Sequence, residues 1–270
     1  MQTHPRDMAP STIGQRRAFY RSEFEIRALQ DWIGARSSKL KFAMIPGRIT
    51  GIVLPKYVAN KDDVMIIDSW RTAADLRKYA RRYLPEGVYY DRNRYVNVAK
   101  CRRCGRSPVS CPDCYNFEGQ QLAFDLDPEN VDCPYHGHLG QKLDRGLHLS
   151  FCMFEFKSVR RQALELSGEL ARTYENVQVV FSGRGFHVIV DDERAYHLTR
   201  KERHEMAREL GKRFDIDEWV TEGGSRLLRL PYSLNALVSR KCMRIKDERV
   251  LKRFDPRTSK LVLPGFLKSA

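Results

Sequence analysis

The sequence has no long hydrophobic run, no internal repeat and no low-complexity tract. No segment of its 270 residues approaches the roughly 18 consecutive apolar residues that a membrane-spanning helix needs. The N-terminal segment MQTHPRDMAPSTIGQRR also lacks the apolar core of a signal peptide. These absences predict a protein that has no membrane partner and stays in the cytoplasm or its equivalent.

Acidic residues are few relative to basic ones. The chain has 34 Asp and Glu against 48 Lys and Arg, which gives a formal net charge of +14. Such a charge favours a polyanionic partner, because neutralised phosphates release their counterions. Charge alone leaves nucleic acid, ribosome and anionic membrane open, as well as a basic protein with no such partner. A hydrophobic content of 42% is enough for a real core.

Helical and strand patterns alternate irregularly along the chain. Apolar residues at helical spacing predict helices over 16–34, 72–84 and 158–173, and a capping box of Thr199 and Glu202 predicts another helix. Clusters of β-branched residues between turn formers predict strands at 47–58, 63–70, 88–98, 177–181, 186–190 and 226–231. The mixture, with hairpins, favours an α+β fold with mixed or antiparallel sheets over a doubly wound parallel sheet.

The seven cysteines are better explained as metal ligands or reduced thiols than as disulfides in an intracellular chain. Two CxxC pairs in CRRCGRSPVSCPDC predict a structural zinc site with four thiolate ligands, Cys101, Cys104, Cys111 and Cys114. A weaker second site would use Cys133, His136, His148 and Cys152, with His138 competing for a place. The alternatives are reduced thiols on a loop and ordinary surface histidines, and Cys242 is expected to be a small core residue.

Two aspartates interrupt an apolar run in LAFDLDPEN, residues 122–130. On a strand, Asp125 and Asp127 project to one face while Phe124 and Leu126 face the core. Paired carboxylates repel each other unless a divalent cation lies between them, and magnesium or manganese binds carboxylate and phosphate oxygens together. The pattern is therefore consistent with a two-metal phosphoryl-transfer site. Taken alone, the pair is weak evidence, because an exposed edge strand or a turn at Asp127-Pro128 would give the same pattern.

A glycine-rich turn follows in FSGRGFHVIV. Its small residues, Gly183 among them, let backbone N–H groups approach an anion, and Ser182, Arg184 and His187 add polar groups suited to a triphosphate. A plain β-hairpin turn is the alternative. Farther along, Asp215 or Asp217 could supply a third carboxylate, and the polar residues around the next strand are Arg229, Ser233 and Asn235.

The order of these motifs resembles the archaeo-eukaryotic primase superfamily, and most closely the catalytic small subunit of DNA primase. The resemblance rests on Asp125 and Asp127, on the turn with Ser182, Arg184 and His187, on Asp217, and on Arg229 within RLPYSLN. It extends over about residues 16–262 through KFAMIP, VYYDRNRY and FDPRTSKLV. The sequence departs from the family where Ser-Leu-Asn replaces Ser-x-His, where the turn is one residue shorter, and where the CxxC pairs precede the aspartates.

The resemblance implies one α+β catalytic domain over residues 1–270, containing a modified RNA-recognition-like unit and a zinc-knuckle insert at about 100–152. It implies DNA-templated primer synthesis in which Asp125, Asp127 and Asp217 bind magnesium or manganese and the polar turn with Arg229 binds the triphosphate. Implied partners are single-stranded DNA template, nucleoside triphosphates and a primase large subunit. The implied location is the cytoplasm near the nucleoid, or the nucleus in a eukaryote.

Two other functions fit the same residues. One is a repair or replicon-encoded primase-polymerase, similar to the polymerase domains of end-joining ligases, whose aspartate motif also reads much like FDLDP. The other is a non-catalytic zinc-ribbon protein that binds nucleic acid. Nucleotide incorporation that depends on Asp125 separates the second from the enzymes.

Overall fold

The computed structural model describes residues 5, 8–34, 39–46, 65–67, 72–101, 111, 113–147, 150–223 and 227–268. The α-helices of these residues are α1 (Ile13–Ser22), α2 (Ile26–Ile33), α3 (Ala73–Tyr83), α4 (Val98–Cys101), α5 (Leu139–Asp144), α6 (Met153–Leu170), α7 (Glu193–Tyr196), α8 (Arg200–Gly211), α9 (Glu218–Thr221) and α10 (Glu248–Lys252). None of the described helices combines the length and the apolar character needed to cross a bilayer.

The strands of the described residues are β1 (Phe42–Ile45), β2 (Met65–Ile67), β3 (Gly87–Asp91), β4 (Asn93–Tyr95), β5 (Phe117–Gln120), β6 (Leu122–Leu126), β7 (Val177–Phe181), β8 (Phe186–Val190), β9 (Leu227–Arg229), β10 (Leu234–Asn235), β11 (Arg240–Lys241) and β12 (Met243–Ile245). They form two antiparallel four-stranded sheets, with orders β2-β1-β3-β9 and β12-β7-β8-β6, and two short ladders, β4-β5 and β10-β11. The α+β class with antiparallel sheets is confirmed.

The second sheet has a core on each face. Alternate residues of β6, such as Phe124 and Leu126, belong to the core that α6 covers, whereas Ala123 belongs to the core of the first sheet and the N-terminal helices. Because side chains alternate along a strand, Asp125 shares the face of Ala123. This face is turned towards the first sheet, so polar residues there can meet residues of β3 and β9.

Two predicted elements are each broken into two. The helix expected over 16–34 is interrupted at Glu23–Glu25, because the buried ring of Phe24 turns back onto Tyr20, with ring centroids 5.7 Å apart. The strand expected over 88–98 is divided at Arg92 into β3 and β4, which belong to different ladders. In both places tertiary packing overrides a local pattern that was continuous.

Most other predicted elements are found. The capping box at Thr199 is present, since its hydroxyl accepts from the Glu202 N–H at 3.2 Å and the Glu202 carboxylate accepts from the Thr199 N–H at 2.7 Å. The hairpin of β7 and β8 is paired in register from Phe181 opposite Phe186 onwards. The predicted strand at 47–58 lies outside the described residues, and β10, β11, β12 and α10 had no sequence prediction.

Candidate active site

A cavity of about 280 Å³ lies between the two sheets. The second sheet contributes Asp125 and Asp127 from the end of β6 and Ser182, Arg184 and His187 from the β7–β8 hairpin. The first sheet contributes Tyr89 of β3 and Arg229 of β9. Residues that are up to 140 positions apart in the chain are in contact here, as in the Arg229–Tyr89 pair. The cavity therefore gathers both predicted motifs, the carboxylates and the glycine-rich turn.

Asp125 and His187 are directly opposite each other on β6 and β8. The imidazole Nε2 lies 3.5 Å from Oδ1 of Asp125. Burial lowers the pKa of His187 to about 4, so the ring is neutral at pH 7. Burial also raises the pKa of Asp125 well above its ordinary value, and the charges of Asp127, Asp217 and Glu129 raise it further. The site thus concentrates negative charge that the neutral histidine does not balance.

Asp217 is held beside Asp125 by the backbone. Its N–H donates to the carbonyl of Asp125 at 2.9 Å, and its Oδ1 accepts from the N–H of Trp219 at 3.0 Å at the start of α9. Asp215 is held elsewhere, since its carboxylate accepts from Gln162 of α6 at 2.6 Å. Of the two candidates for a third carboxylate, the structure brings Asp217 to the pair.

The carboxylates suit a divalent cation. Oδ1 of Asp125 is buried and accepts no hydrogen bond among the described residues. Carboxylate oxygens are the protein ligands that magnesium and manganese prefer. A cation would offset both the burial and the repulsion that raise the pKa of Asp125, so the residues present fit such an ion.

The glycine-rich turn is built against the end of β6. Ser182 Oγ accepts from the Gly185 N–H at 3.0 Å, and the Ser182 N–H donates to the Gly185 carbonyl at 3.0 Å. A Cβ on Gly185 would lie 2.3 Å from the carbonyl oxygen of Leu126. Gly183 has φ of +102°, which favours glycine. Glycine is therefore required twice in a turn that touches the strand carrying the aspartates.

Arg184 extends from this turn to the acidic residues. One of its Nη atoms donates to Asp127 at 3.0 Å and also to Glu129. Glu129 lies in a 3-10 turn, Pro128–Asn130, and is 5% exposed. Burial, and then the charge of Asp127, raises the pKa of Glu129 to about 8. Sequence reasoning missed this fourth acidic residue, because nothing in DPEN shows that its glutamate is buried.

Arg229 faces the cavity from the first sheet. Its guanidinium lies over the ring of Tyr89, 4.8 Å from the centroid, and Nη2 donates to the Tyr89 hydroxyl at 2.8 Å. Its Nη1 is buried without a hydrogen-bond acceptor among the described residues. A buried donor without an acceptor is costly, so this nitrogen is suited to an anionic ligand.

Arg92 was also missed by sequence reasoning. It is fully buried and donates to the carbonyls of Gln121, just before β6, and Val220 in α9. Burial lowers its pKa to about 10, against the attraction of nearby acids that include Asp125 and Asp217. Arg92 lies at the break between β3 and β4, which is visible only in the structure.

The remaining polar residues of the RLPYSLN segment are structural. Asn235 Nδ2 donates to the carbonyl of Ser182 at 3.1 Å and so supports the glycine-rich turn. Ser233 Oγ donates to the carbonyl of Leu230 at 2.6 Å. Cys242 is buried in the first core, as expected, and burial raises the pKa of its thiol to about 12.

Candidate metal centre

Four side chains with metal-binding atoms converge near α6: Cys133, His136, Cys152 and Glu155. Zinc at its usual bond lengths places two tetrahedral thiolates about 3.8 Å apart, and a thiolate and an imidazole about 3.5 Å apart. Cys133 Sγ lies 3.9 Å from Cys152 Sγ and 3.5 Å from His136 Nδ1. The donor set and its spacing fit a zinc ion.

The fourth ligand predicted from the sequence, His148, stays a prediction, and the structure adds Glu155 to the group. His148 lies outside the described residues, and Glu155 has an Oε1 that is 3.4 Å from His136 Nδ1. His138 is not a member of the group among the described residues. Sequence reasoning missed Glu155 because it looked for thiols and imidazoles, whereas the first turn of α6 brings a carboxylate to the same place.

The CxxC pairs are only partly described. Cys104 lies outside the described residues, and Cys101, Cys111 and Cys114 are half-buried. Asn116 Nδ2 donates to Cys101 Sγ at 3.0 Å. The four-cysteine zinc site therefore stays a prediction.

Comparisons with known proteins give a consistent result. No family model matches the sequence. A DNA primase small subunit-like protein of Archaeoglobus fulgidus, itself uncharacterised, is 49% identical over 98% of this chain and 94% of its own length. The DNA primase small subunit of Pyrococcus furiosus is 26% identical over 49% of this chain and 33% of its own.

A solved structure has the same fold. The polymerase domain of Mycobacterium tuberculosis ligase D, determined in complex with DNA, matches with a TM-score of 0.50 at 14% identity. The match covers 97% of this chain and 91% of the other. At this identity the likeness is one of fold, and it extends over both sheets.

Proposed function

The chain belongs to the family of DNA primase small subunit-like proteins, and from this we propose that it is a DNA-templated nucleotidyltransferase that synthesises short primers for replication. The supporting observation is a single cavity that joins Asp125 and Asp127 to the glycine-rich turn and to Arg229. Such an arrangement can hold a nucleoside triphosphate between cationic donors and a carboxylate cluster.

The carboxylates would form the catalytic part of the site. Asp125, Asp127 and Asp217 would hold two magnesium or manganese ions, and no side chain acts as a covalent nucleophile. When bound, the ions supply positive charge at the attacking 3′-hydroxyl and at the departing pyrophosphate. The chain's own part is to keep the carboxylates close together, which the backbone bond from Asp217 to Asp125 achieves on one side.

The hairpin and β9 form the triphosphate end. The turn at Ser182 and Gly183 would bind phosphate oxygens. Arg184 would bind a phosphate in place of part of its contact with Asp127. His187, whose low pKa keeps it neutral, would donate a hydrogen bond without adding charge. A phosphate oxygen would supply the acceptor that Nη1 of Arg229 lacks.

The wider assignments follow from the family. Single-stranded DNA is the proposed template, and a primase large subunit is the proposed partner. We assign zinc to the cluster of Cys133, His136 and Cys152, with Glu155 or His148 as the fourth ligand, and to the CxxC pairs. The chain is proposed to be one catalytic domain over 1–270, with zinc-binding segments within about 100–152, on either side of β5 and β6.

The test is incorporation of labelled nucleotides on unprimed and primed DNA templates with magnesium or manganese. Asp217→Asn is compared with Asp215→Asn, because Asp215 lies two residues away but is bonded to Gln162. We expect product on the unprimed template from wild type and Asp215→Asn, and its loss in Asp217→Asn and in Asp125→Ala with Asp127→Ala.

Other outcomes distinguish the alternatives. Extension of primed templates only would favour a repair or replicon-encoded primase-polymerase. Absence of incorporation by folded, zinc-loaded wild type, with or without a large subunit, would contradict the proposed activity and favour a non-catalytic nucleic-acid-binding protein.

A further inference from the structure

Lys142 of α5 connects the two candidate sites. It is fully buried, and its ammonium nitrogen lies 3.0 Å from the carbonyl oxygen of Glu129, 3.2 Å from that of Val131 and 2.6 Å from Oε1 of Glu155. A lysine ammonium has three donors, and three acceptors surround it here. Neither the catalytic proposal nor the metal centre requires this residue as a ligand.

On one side, Lys142 is bound to the metal centre. Glu155 is fully buried, and its other oxygen accepts from the N–H of Cys152 at 2.6 Å. The position of the Lys142 ammonium group therefore depends on the position of the Glu155 carboxylate. Because a buried charge without its partner is strongly unfavourable, the pair is expected to move as one unit.

On the other side, Lys142 holds the turn that carries Glu129. The two carbonyl groups it binds lie in and just after this 3-10 turn, where Glu129 and Val131 are 5% and 3% exposed. Buried carbonyl groups need donors, and without Lys142 these two would lose one each. The side chain of Glu129 in turn binds Arg184, which lines the cavity, whereas Glu129 itself lies behind it.

We propose that Lys142 is a positioning residue: it ties the cluster of Cys133, His136, Cys152 and Glu155 to the Glu129 turn, and thereby fixes Arg184 for binding the triphosphate. The inference rests on the proposed role of Arg184. Through Lys142 the metal centre takes part in nucleotide binding, although none of its four residues lines the cavity.

The experiment uses a charge-balanced variant, Lys142→Met with Glu155→Gln, because Lys142→Met alone would leave a buried carboxylate unpaired. Lys157→Met is the control, an exposed lysine on the same helix as Glu155. Three quantities are measured: amide hydrogen exchange over 127–131 and 182–185, KM and kcat for nucleoside triphosphate on a primed template, and bound zinc. We expect faster exchange in both segments and a KM raised about 10-fold, with kcat within about threefold of wild type.

A second variant tests the other end of the connection. Glu129→Ala keeps the main-chain carbonyl that Lys142 binds and removes the side-chain acceptor of Arg184, so it should also raise KM. Wild-type KM in Glu129→Ala, or wild-type KM and exchange in a folded charge-balanced variant, overturns the proposal. If wild type itself binds no triphosphate, the proposed function fails and the nucleotide part of this inference fails with it, while exchange over 127–131 still decides whether Lys142 holds the turn.

Discussion

Asp125 is a residue whose position opposes the stability of the metal-free protein. Burial, followed by the charges of Asp127 and Asp217, raises the pKa of its carboxyl group well above the ordinary value. The folded protein therefore binds a proton at this group more tightly than the unfolded chain does, and stability falls as the pH rises above the unfolded pKa. Carboxylates kept together in this way are typical of functional sites.

Asp125→Asn is expected to stabilise the metal-free protein and to abolish activity. The gain in unfolding free energy should be absent below the unfolded pKa. It should grow as the pH rises above that value, because the unfolded carboxyl ionises there while the folded one stays protonated, and it should level off above the folded pKa. Urea unfolding at several pH values in EDTA checks this. Incorporation should fall at least about 100-fold. A variant less stable than wild type at pH 8 would contradict the account.

Arg229→Met should weaken triphosphate binding. The guanidinium is held on Tyr89 and keeps Nη1 without an acceptor, so its loss removes a charge-assisted bond to the ligand. We expect KM for nucleotide to rise about 10- to 100-fold. Arg213→Met is the control, since that arginine pairs with Glu169 on the surface. Equal KM values for the two variants would exclude Arg229 from the binding site.

Residues with a strong local signature were identified from the sequence, and residues defined by their neighbours were not. Asp125, Asp127 and Arg184 stood in recognisable spacings, and the structure places all of them on one cavity. Glu129 and Lys142 carry no pattern, since only burial and distant partners give them a role. A buried ion pair between α5 and α6 cannot be read from either helix alone.

At the level of secondary-structure elements, the pairing of β6 with the β7–β8 hairpin sets the geometry of the site. Asp125 is opposite His187, and Gly185 contacts the end of β6. The hairpin was predictable because both strands and the turn are contiguous in sequence. The pairing of β8 with β6, over 60 residues away, was not, because it depends on the register of the whole sheet.

Gly185→Ala tests this contact. The new Cβ would lie 2.3 Å from the Leu126 carbonyl oxygen and 2.6 Å from Asp127 Oδ1, so the turn must move away from the aspartates. We expect a loss of about 1–3 kcal/mol of unfolding free energy together with reduced incorporation. Gly168→Ala in α6 meets nothing within 4 Å and should stabilise by up to about 1 kcal/mol. Thermal unfolding of both variants decides, and a neutral Gly185→Ala would refute the close approach.

At the level of the whole molecule, part of the positive charge is structural. Three basic tracts would be expected from the sequence to bind nucleic-acid backbones: RRAFYR (16–21), RKYARR (77–82) and SRKCMRIK (239–246). Two of their arginines, Arg16 and Arg240, are 5% and 0% exposed and donate to backbone carbonyls. Arg81 likewise donates to the carbonyls of Tyr20 and Arg21. A tract of basic letters therefore overstates the charge available to phosphates.

The exposed basic residues of these tracts should bind the phosphates of single-stranded DNA. Arg17 and Lys78 are exposed. In the double variant Arg17→Gln with Lys78→Gln, the slope of log K against log salt concentration for single-stranded DNA should become less steep. The slope should change by about 0.7 for each phosphate that the variant no longer neutralises. The control is Lys201→Gln with Lys212→Gln, whose lysines pair with Glu205 and Glu209 on α8. Fluorescence anisotropy titrations measure both slopes, and equal slopes would place the DNA on another surface.

Sequence alone was enough to predict the α+β class, the family, the hairpin and the residues of the two main motifs, because these depend on short-range periodicity, on spacing within each motif and on the order of the motifs along the chain. The folded structure was needed to show which third aspartate lies beside the pair, that Glu155 lies in the group near α6, and that Lys142 connects this group to Glu129. Those outcomes depend on burial and on pairing between distant segments, and the free energy of a buried charge is set by whichever partner the fold brings to it.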